Sequence, residues 1–196
     1  LKQNIASEIK RIERALARSK TDIPVAVMLR MSTIMLNLMK RRERFGMLVI
    51  VGWKNKWKQY ADTPDMSQDV FARHHINITK PLSTRERRKR SGIVKTVNFD
   101  GAILIDTRGN VLHSGTMIEG LRPRATAQKL SPHRAPDLST QFGFKRKVHM
   151  RHITAITSSY TFKGTAVFTV SEETNDFHIF EAGKILYSTV RAEMKK

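Results

Sequence analysis

Three short apolar runs limit what this chain can become. Met47-Leu-Val-Ile-Val51 is closed by Gly52, and Ala166 to Val170 by Ser171. Both are too brief for a stable helix and read as buried strands. The third run, Ala102 to Asp106, is followed by Thr107-Arg-Gly-Asn110 and then by Val111 to Ser114. That is a strand, a turn and a strand in hairpin register. A second hairpin is expected near the end of the chain, Phe177 to Phe180 and Lys184 to Ser188 around Glu181-Ala-Gly183.

Between the strands the period changes. Ile5, Ile9, Ile12 and Leu16 recur at helical spacing in residues 1 to 20, with Lys and Arg opposite. Pro24, with Asp22 ahead of it as a cap, starts a second helix expected to reach about Arg44. Its apolar face is Val27, Met28, Met31, Ile34, Met35, Leu38 and Met39, and Gly46 stops it. The two helices form a hairpin that either regulates or dimerises the protein or covers one side of the core. Trp53 to Tyr60 reads as a basic helix or turn, Asp62 to Ser67 as a loop and Ile76 to Thr79 as a short strand. Ser83 and Thr84 are expected to cap a helix running to Arg90. Residues 120 to 147 are rich in Pro, Arg, Ser and Lys and read as a long surface loop, because Pro123, Pro132 and Pro136 forbid one long helix. A helix from about Val148 to Tyr160 follows, and Lys163-Gly164 turns the chain into the strand at Ala166. Alternating strands and helices predict an α/β fold with a mixed sheet. The expected division is a helical segment, 1–45, and a second domain, 46–196.

The strongest compositional signal is charge. Thirty-six basic residues against seventeen acidic give +19 over 196 residues. Such a surface attracts polyanions: nucleotides, nucleic acid or acidic lipid. There is no cysteine, which excludes disulfides and cysteine-ligated zinc and fits a reducing, cytoplasmic location. The longest apolar stretch, around Ile34 to Met39, is interrupted by Asn37 and closed by Lys40-Arg41-Arg42, so no transmembrane segment is expected.

Three places carry chemistry. Asp100-Gly101-Ala102 starts a strand, where a carboxylate can hold a divalent cation and a glycine lets a nucleotide approach the backbone. Arg151 and His152 lie near the start of a helix, whose free N–H groups and dipole favour phosphate. Ser171 and Glu172 leave a buried strand at its carboxyl end, a common location for a site. Each signal is weak alone. Asp-Gly begins many strands, and basic helix starts are usually solvated.

Taken in order, these stretches resemble the diadenylate cyclase domain family. The resemblance spans roughly Gly46 to Val190. Its anchors are Asp100-Gly101-Ala102, Arg151-His152 followed by Ala155-Ile156-Thr157, Val170-Ser171-Glu172-Glu173 and Gly183-Lys-Ile-Leu-Tyr187. It implies a slightly barrelled mixed β-sheet flanked by helices, with the helical hairpin as an N-terminal addition. It also implies condensation of two ATP into cyclic di-AMP and two pyrophosphates across a face-to-face homo-oligomer. Asp100 would bind Mg²⁺ or Mn²⁺ and help activate the ribose 3′-hydroxyl. Gly101 and Ala102 would line the nucleotide, Arg151 and His152 would hold the triphosphate, and Ser171 and Glu172 would border the site. Ile118, with Met117 as the adjacent alternative, would lie against adenine. The second block departs from the family's Gly-Thr-Arg-His-Arg, since His149-Met150-Arg151-His152-Ile153 lacks the Gly, the Thr and the second Arg. Gly143 to Lys147 and His133-Arg134-Ala135 are alternative registers. A degenerate nucleotide or cyclic-dinucleotide sensor is the second reading. A nucleic-acid-binding protein is the third, suggested by Arg85 to Arg90 and Lys145 to Lys147.

Overall fold

The computed structural model describes residues 5–41, 44–65, 69, 75–80, 101–132 and 137–194. Two helices come first, α1 (Ile5–Leu16) and α2 (Val25–Arg41). The strands are β1 (Met47–Val51), β2 (Ala61–Asp62), β3 (Ala102–Ile105), β4 (Val111–Ile118), β5 (Ala166–Val170), β6 (Phe177–Glu181) and β7 (Lys184–Ser188). They form one seven-stranded open sheet in the order β2-β4-β3-β1-β5-β6-β7. β1 runs parallel to β3 and every other pairing is antiparallel, so the sheet is mixed. Between β4 and β5 lie α3 (Pro123–Leu130), α4 (Leu138–Gln141) and α5 (Met150–Thr161).

The apolar runs are central because both of their faces are covered. Every residue of β1 and β5 is buried. Alternate side chains point to opposite faces. Met47, Val49, Val51, Phe168 and Ile179 meet α1 and α2, in a cluster with Ile12, Leu16, Met28, Met31 and Met35. Leu48, Ile50, Leu104, Val167 and Phe180 meet α3 and α5, together with Trp53, Trp57, Phe142, Phe144 and Phe162. The fold is thus helix, sheet, helix. The expected boundary after residue 45 falls between α2 and β1, but the two helices and the sheet share one hydrophobic cluster.

Two carboxylates fasten the first layer. Glu8, on α1, accepts a hydrogen bond from the hydroxyl of Tyr187 on β7 and pairs with Arg11 at 2.8 Å. Burial, and then Glu8 itself, push the Tyr187 phenol up, so it stays a donor. Glu181, at the turn between β6 and β7, accepts from Ser19 Oγ and Lys20 N, both at 2.7 Å, and so holds the segment after α1.

The long loop expected over 120–147 contains two helices. Pro123 occupies a first-turn position of α3, where no N–H is needed. Asp137 caps α4, accepting from Thr140 N at 3.0 Å. No single long helix forms here, as expected, but two short helices replace the loop. β4 also runs past Ser114 to Ile118, because the register with β3 shifts twice and Gly115, at φ 64°, interrupts the alternation. The strand expected at Ile76 to Thr79 reduces to one bridge, Asn77 to Asn110. The helix expected at Ser83 to Arg90 lies outside the described residues.

Candidate nucleotide site at one end of the sheet

Strand direction brings distant stretches of sequence together. Leu48 pairs with Ala102 in parallel, Met47 with Val170 antiparallel, and Ala102 with Thr116 antiparallel. The starts of β1 and β3 and the ends of β4 and β5 therefore share one end of the sheet. α5 leads into the start of β5 through the turn at 162–165, so its own first turn lies at that same end. Gly101, Ala102, Met117, Ile118, Arg151, His152, Ser171 and Glu172 are all gathered there. Asp100 lies outside the described residues, as do His133, Arg134 and Ala135.

The backbone is tight at the start of β3. Gly101 has φ +76°, and a Cβ placed on it would stand 2.6 Å from the carbonyl carbon of Gly115 on β4. Only glycine fits, for conformational and steric reasons together. Ala102 is fully buried, in the cluster beneath α5. Met117 is 61% exposed, whereas Ile118 packs on the cluster that includes Ala102. Of that pair, Met117 is the more exposed. Among the described residues the hydroxyl of Thr116, opposite Ala102 and nearly buried, has no hydrogen-bond partner.

Arg151 lies across the start of β1. A Cβ on Gly46 would come within 1.9 Å of its Nη1, so the guanidinium occupies the space that the glycine leaves. The helix beneath it begins without a side-chain cap, since His149 makes no capping bond. Its first-turn N–H groups and dipole therefore face the same end. Ser171 is half-buried, and its Oγ accepts from Thr174 N at 3.2 Å. Glu172 is exposed. Glu173 pairs with His149 at 2.6 Å.

His152 turns inward. It is 4% exposed, and its Nε2 meets His178 Nδ1 at 3.2 Å. His178 Nε2 in turn meets Glu193 Oε2 at 2.7 Å. Burial, and then the neighbouring His178, lower the His152 pKa to about 3, so the ring is neutral at physiological pH. Burial raises the Glu193 carboxyl, but hydrogen bonds from His178 and Ser188 outweigh it and hold the group below its usual range. A small cavity of about 30 Å³, bordered by Arg146, His149, His152, Ser171, Glu173 and His178, opens beside these rings. It has room for a water or two and is too small for a larger ligand. Among the described residues no group of three or more His, Cys, Asp or Glu side chains is arranged to hold a metal ion.

Sequence reasoning treated Gly46 only as a helix stop and passed over Thr116, His178 and Glu193. A glycine before a buried strand was the one available signal for close approach at Gly46. Nothing in the spacing of His152, His178 and Glu193 marks them as partners.

No family model matches this chain, and no curated protein matches it. Among solved structures it is similar to a hypothetical membrane spanning protein from Bacillus cereus, at 17% identity and a TM-score of 0.49. That similarity covers 81% of this chain, which spans 60% of the length of the other. It is also similar to a double mutant of DacA from Staphylococcus aureus, at 15% identity and a TM-score of 0.44, covering 96% of this chain and 92% of the other. No helix among the described residues is long and apolar enough to cross a membrane.

Proposed function

We propose that this chain binds ATP at the end of the sheet where β1, β3 and β5 meet α5, and condenses two ATP into cyclic di-AMP and two pyrophosphates. One observation carries the reading. Three stretches separated by many residues in sequence, at Gly101-Ala102, Arg151-His152 and Ser171-Glu172, converge at one sheet end beside an uncapped helix start.

The 3′-oxygen of each ATP attacks the α-phosphorus of the other, forming one P–O bond as the bond to pyrophosphate breaks, and the hydroxyl proton passes to water; the two attacks together release two pyrophosphates. One site cannot align both nucleotides, so two protomers face each other. Arg151 and the first-turn N–H groups of α5 hold phosphate oxygens. Gly101 closes the start of β3 on the backbone of Gly115, and Met117 and Ile118 offer apolar surface to the base. Ser171 and Glu172 border the site. Asp100 would hold Mg²⁺ or Mn²⁺, since such ions bound to nucleotide phosphates need only one or two protein carboxylates. The ion would supply charge neutralisation at the phosphates. The chain's own work is positioning.

Incubation of the purified protein with ATP and Mg²⁺ or Mn²⁺, with products identified by mass, tests this reading. Cyclic di-AMP with two pyrophosphates is expected. Binding of ATP or of cyclic di-AMP without turnover would favour the second reading, a sensor. The burial of His152 favours that second reading, because it removes one charge from the phosphate site.

A further inference from the structure

We propose that Glu193, acting through His178, fixes the tautomer and orientation of His152 and thereby positions the first turn of α5, which carries Arg151. The importance of this for function rests on the reading that this end of the sheet binds nucleotide.

Donors and acceptors in the relay are set from its carboxylate end. An ionised carboxylate only accepts. Glu193 Oε2 therefore accepts a hydrogen bond from His178 Nε2 at 2.7 Å, and another from Ser188 Oγ at 2.7 Å. In a neutral imidazole the second nitrogen is then an acceptor. With His178 as the neutral ring, its Nδ1 receives the N–H of His152 Nε2, 3.2 Å away. This leaves His152 Nδ1 with a lone pair. A ring in that state cannot donate to a phosphate oxygen. His152 is thus a positioning residue, and the phosphate contacts fall to Arg151 and the backbone.

Packing makes the relay stiff. The side chains of His178 and Glu193 are each 2% exposed. His178 stacks on Phe180, with ring centroids 5.6 Å apart and planes 3° apart, and His152 stands edge-on to His178 at 4.9 Å. Phe144 closes the group, edge-on to both histidines. The other carboxylate oxygen, Glu193 Oε1, accepts from Lys145 N at 3.1 Å. One side chain therefore joins four parts of the chain: the segment entering α5, the strands β6 and β7, and the turn at Arg191–Glu193. Glu193 lies beyond the last strand, yet it orients the start of a helix more than forty residues earlier in the sequence.

Two measurements on the full chain test this. Two-bond ¹H–¹⁵N correlation spectra of ¹⁵N-histidine-labelled wild type at neutral pH are expected to show His152 and His178 both protonated at Nε2 only. Protonation of either ring at Nδ1 would overturn the proposal, whatever the protein binds. ATP titration then reads the functional consequence. Glu193→Ala should weaken binding about tenfold, the scale on which loss of one buried hydrogen-bond partner acts. Glu193→Gln keeps an acceptor for His178 Nε2 and should recover affinity to within about threefold of wild type. Tyr187→Phe removes a buried hydrogen bond on the opposite face and should lower stability while leaving affinity unchanged. Wild-type affinity in Glu193→Ala, or an equal loss in Tyr187→Phe, would reduce Glu193 to a structural role. If wild type itself fails to bind ATP, the nucleotide reading falls, and the tautomer spectra still decide the relay.

Discussion

The two faces of the sheet are covered in different ways. On one, α1 and α2 lay down Met28, Met31, Met35, Leu16 and Ile12 against β1, β5 and β6. Methionine is flexible and fills irregular space, so a face built this way tolerates exchange. The other face is aromatic. Phe162 is the hub, with ring centroids 5.0 Å from Trp53, 5.3 Å from Trp57 and 5.5 Å from Tyr60. Each face also buries a carboxylate. Glu8 bonds Tyr187 and does no more than fasten a helix to a strand. Glu193 bonds a histidine that leads to the candidate site. The same device holds a layer in place on one side and orients a helix start on the other.

The comparison can be broken most severely by removing one layer. Deletion of residues 1–44 strips the cover from Val49, Phe168 and Ile179, none of which is exposed in the intact chain. The truncated protein is expected to be insoluble or to lack a cooperative unfolding transition in calorimetry. A soluble fragment with a sharp transition would make the helical pair a separable domain.

Next in size are single side chains. Phe162→Ala should cost about 4 kcal/mol, as buried aromatic truncations do. Met28→Leu, on the opposite face, should cost less than about 1.5 kcal/mol, because volume is nearly conserved. Urea unfolding of both variants reads the difference, and equal losses would erase the contrast between the faces.

Acid should act through the aromatic face. His152 is held neutral to about pH 3, whereas an unfolded histidine takes a proton near its ordinary 6.5. Between those values the unfolded chain binds more protons, so stability falls as pH falls through that window. From pH 7 to pH 5 the loss attributable to His152 should be about 2 kcal/mol. The depressed Glu193 carboxyl adds a loss of the same sign at lower pH, as it becomes protonated. Denaturant unfolding at both pH values should show the difference shrink in His152→Asn, and an unchanged difference would remove His152 as its source.

Much of the architecture was legible because buried strands have little freedom of composition. Met47 to Val51 and Ala166 to Val170 had to be apolar on both sides, and the turn at Thr107 to Asn110 needed its glycine, which sits at φ 85°. α3 and α4 were hidden because prolines that bound helices resemble prolines that break them. The end of β4 was hidden because a bulge at Gly115 scrambles the alternation that marks a strand. At the candidate site, residue types singled out stretches that strand direction brings to one end of the sheet, but their orientations were not legible. The sequence does not reveal that the Arg151 guanidinium rests on Gly46, or that His152 faces inward to His178. Those contacts depend on strand register and helix rotation, which no short window of sequence encodes.

The most direct measurement is ATP titration of Arg151→Ala and Gly46→Ala at low and high ionic strength. Arg151→Ala removes a charge-assisted fork from phosphate and should weaken binding by about tenfold or more. Gly46→Ala leaves the charge in place but displaces the guanidinium that occupies the space of its Cβ, and should weaken binding in the same direction while costing little stability. A loss that persists in high salt is expected, because screening removes diffuse attraction and leaves close contacts. Wild-type affinity in both variants, or a loss in Arg151→Ala that vanishes with salt, would contradict the placement of the nucleotide at this end of the sheet.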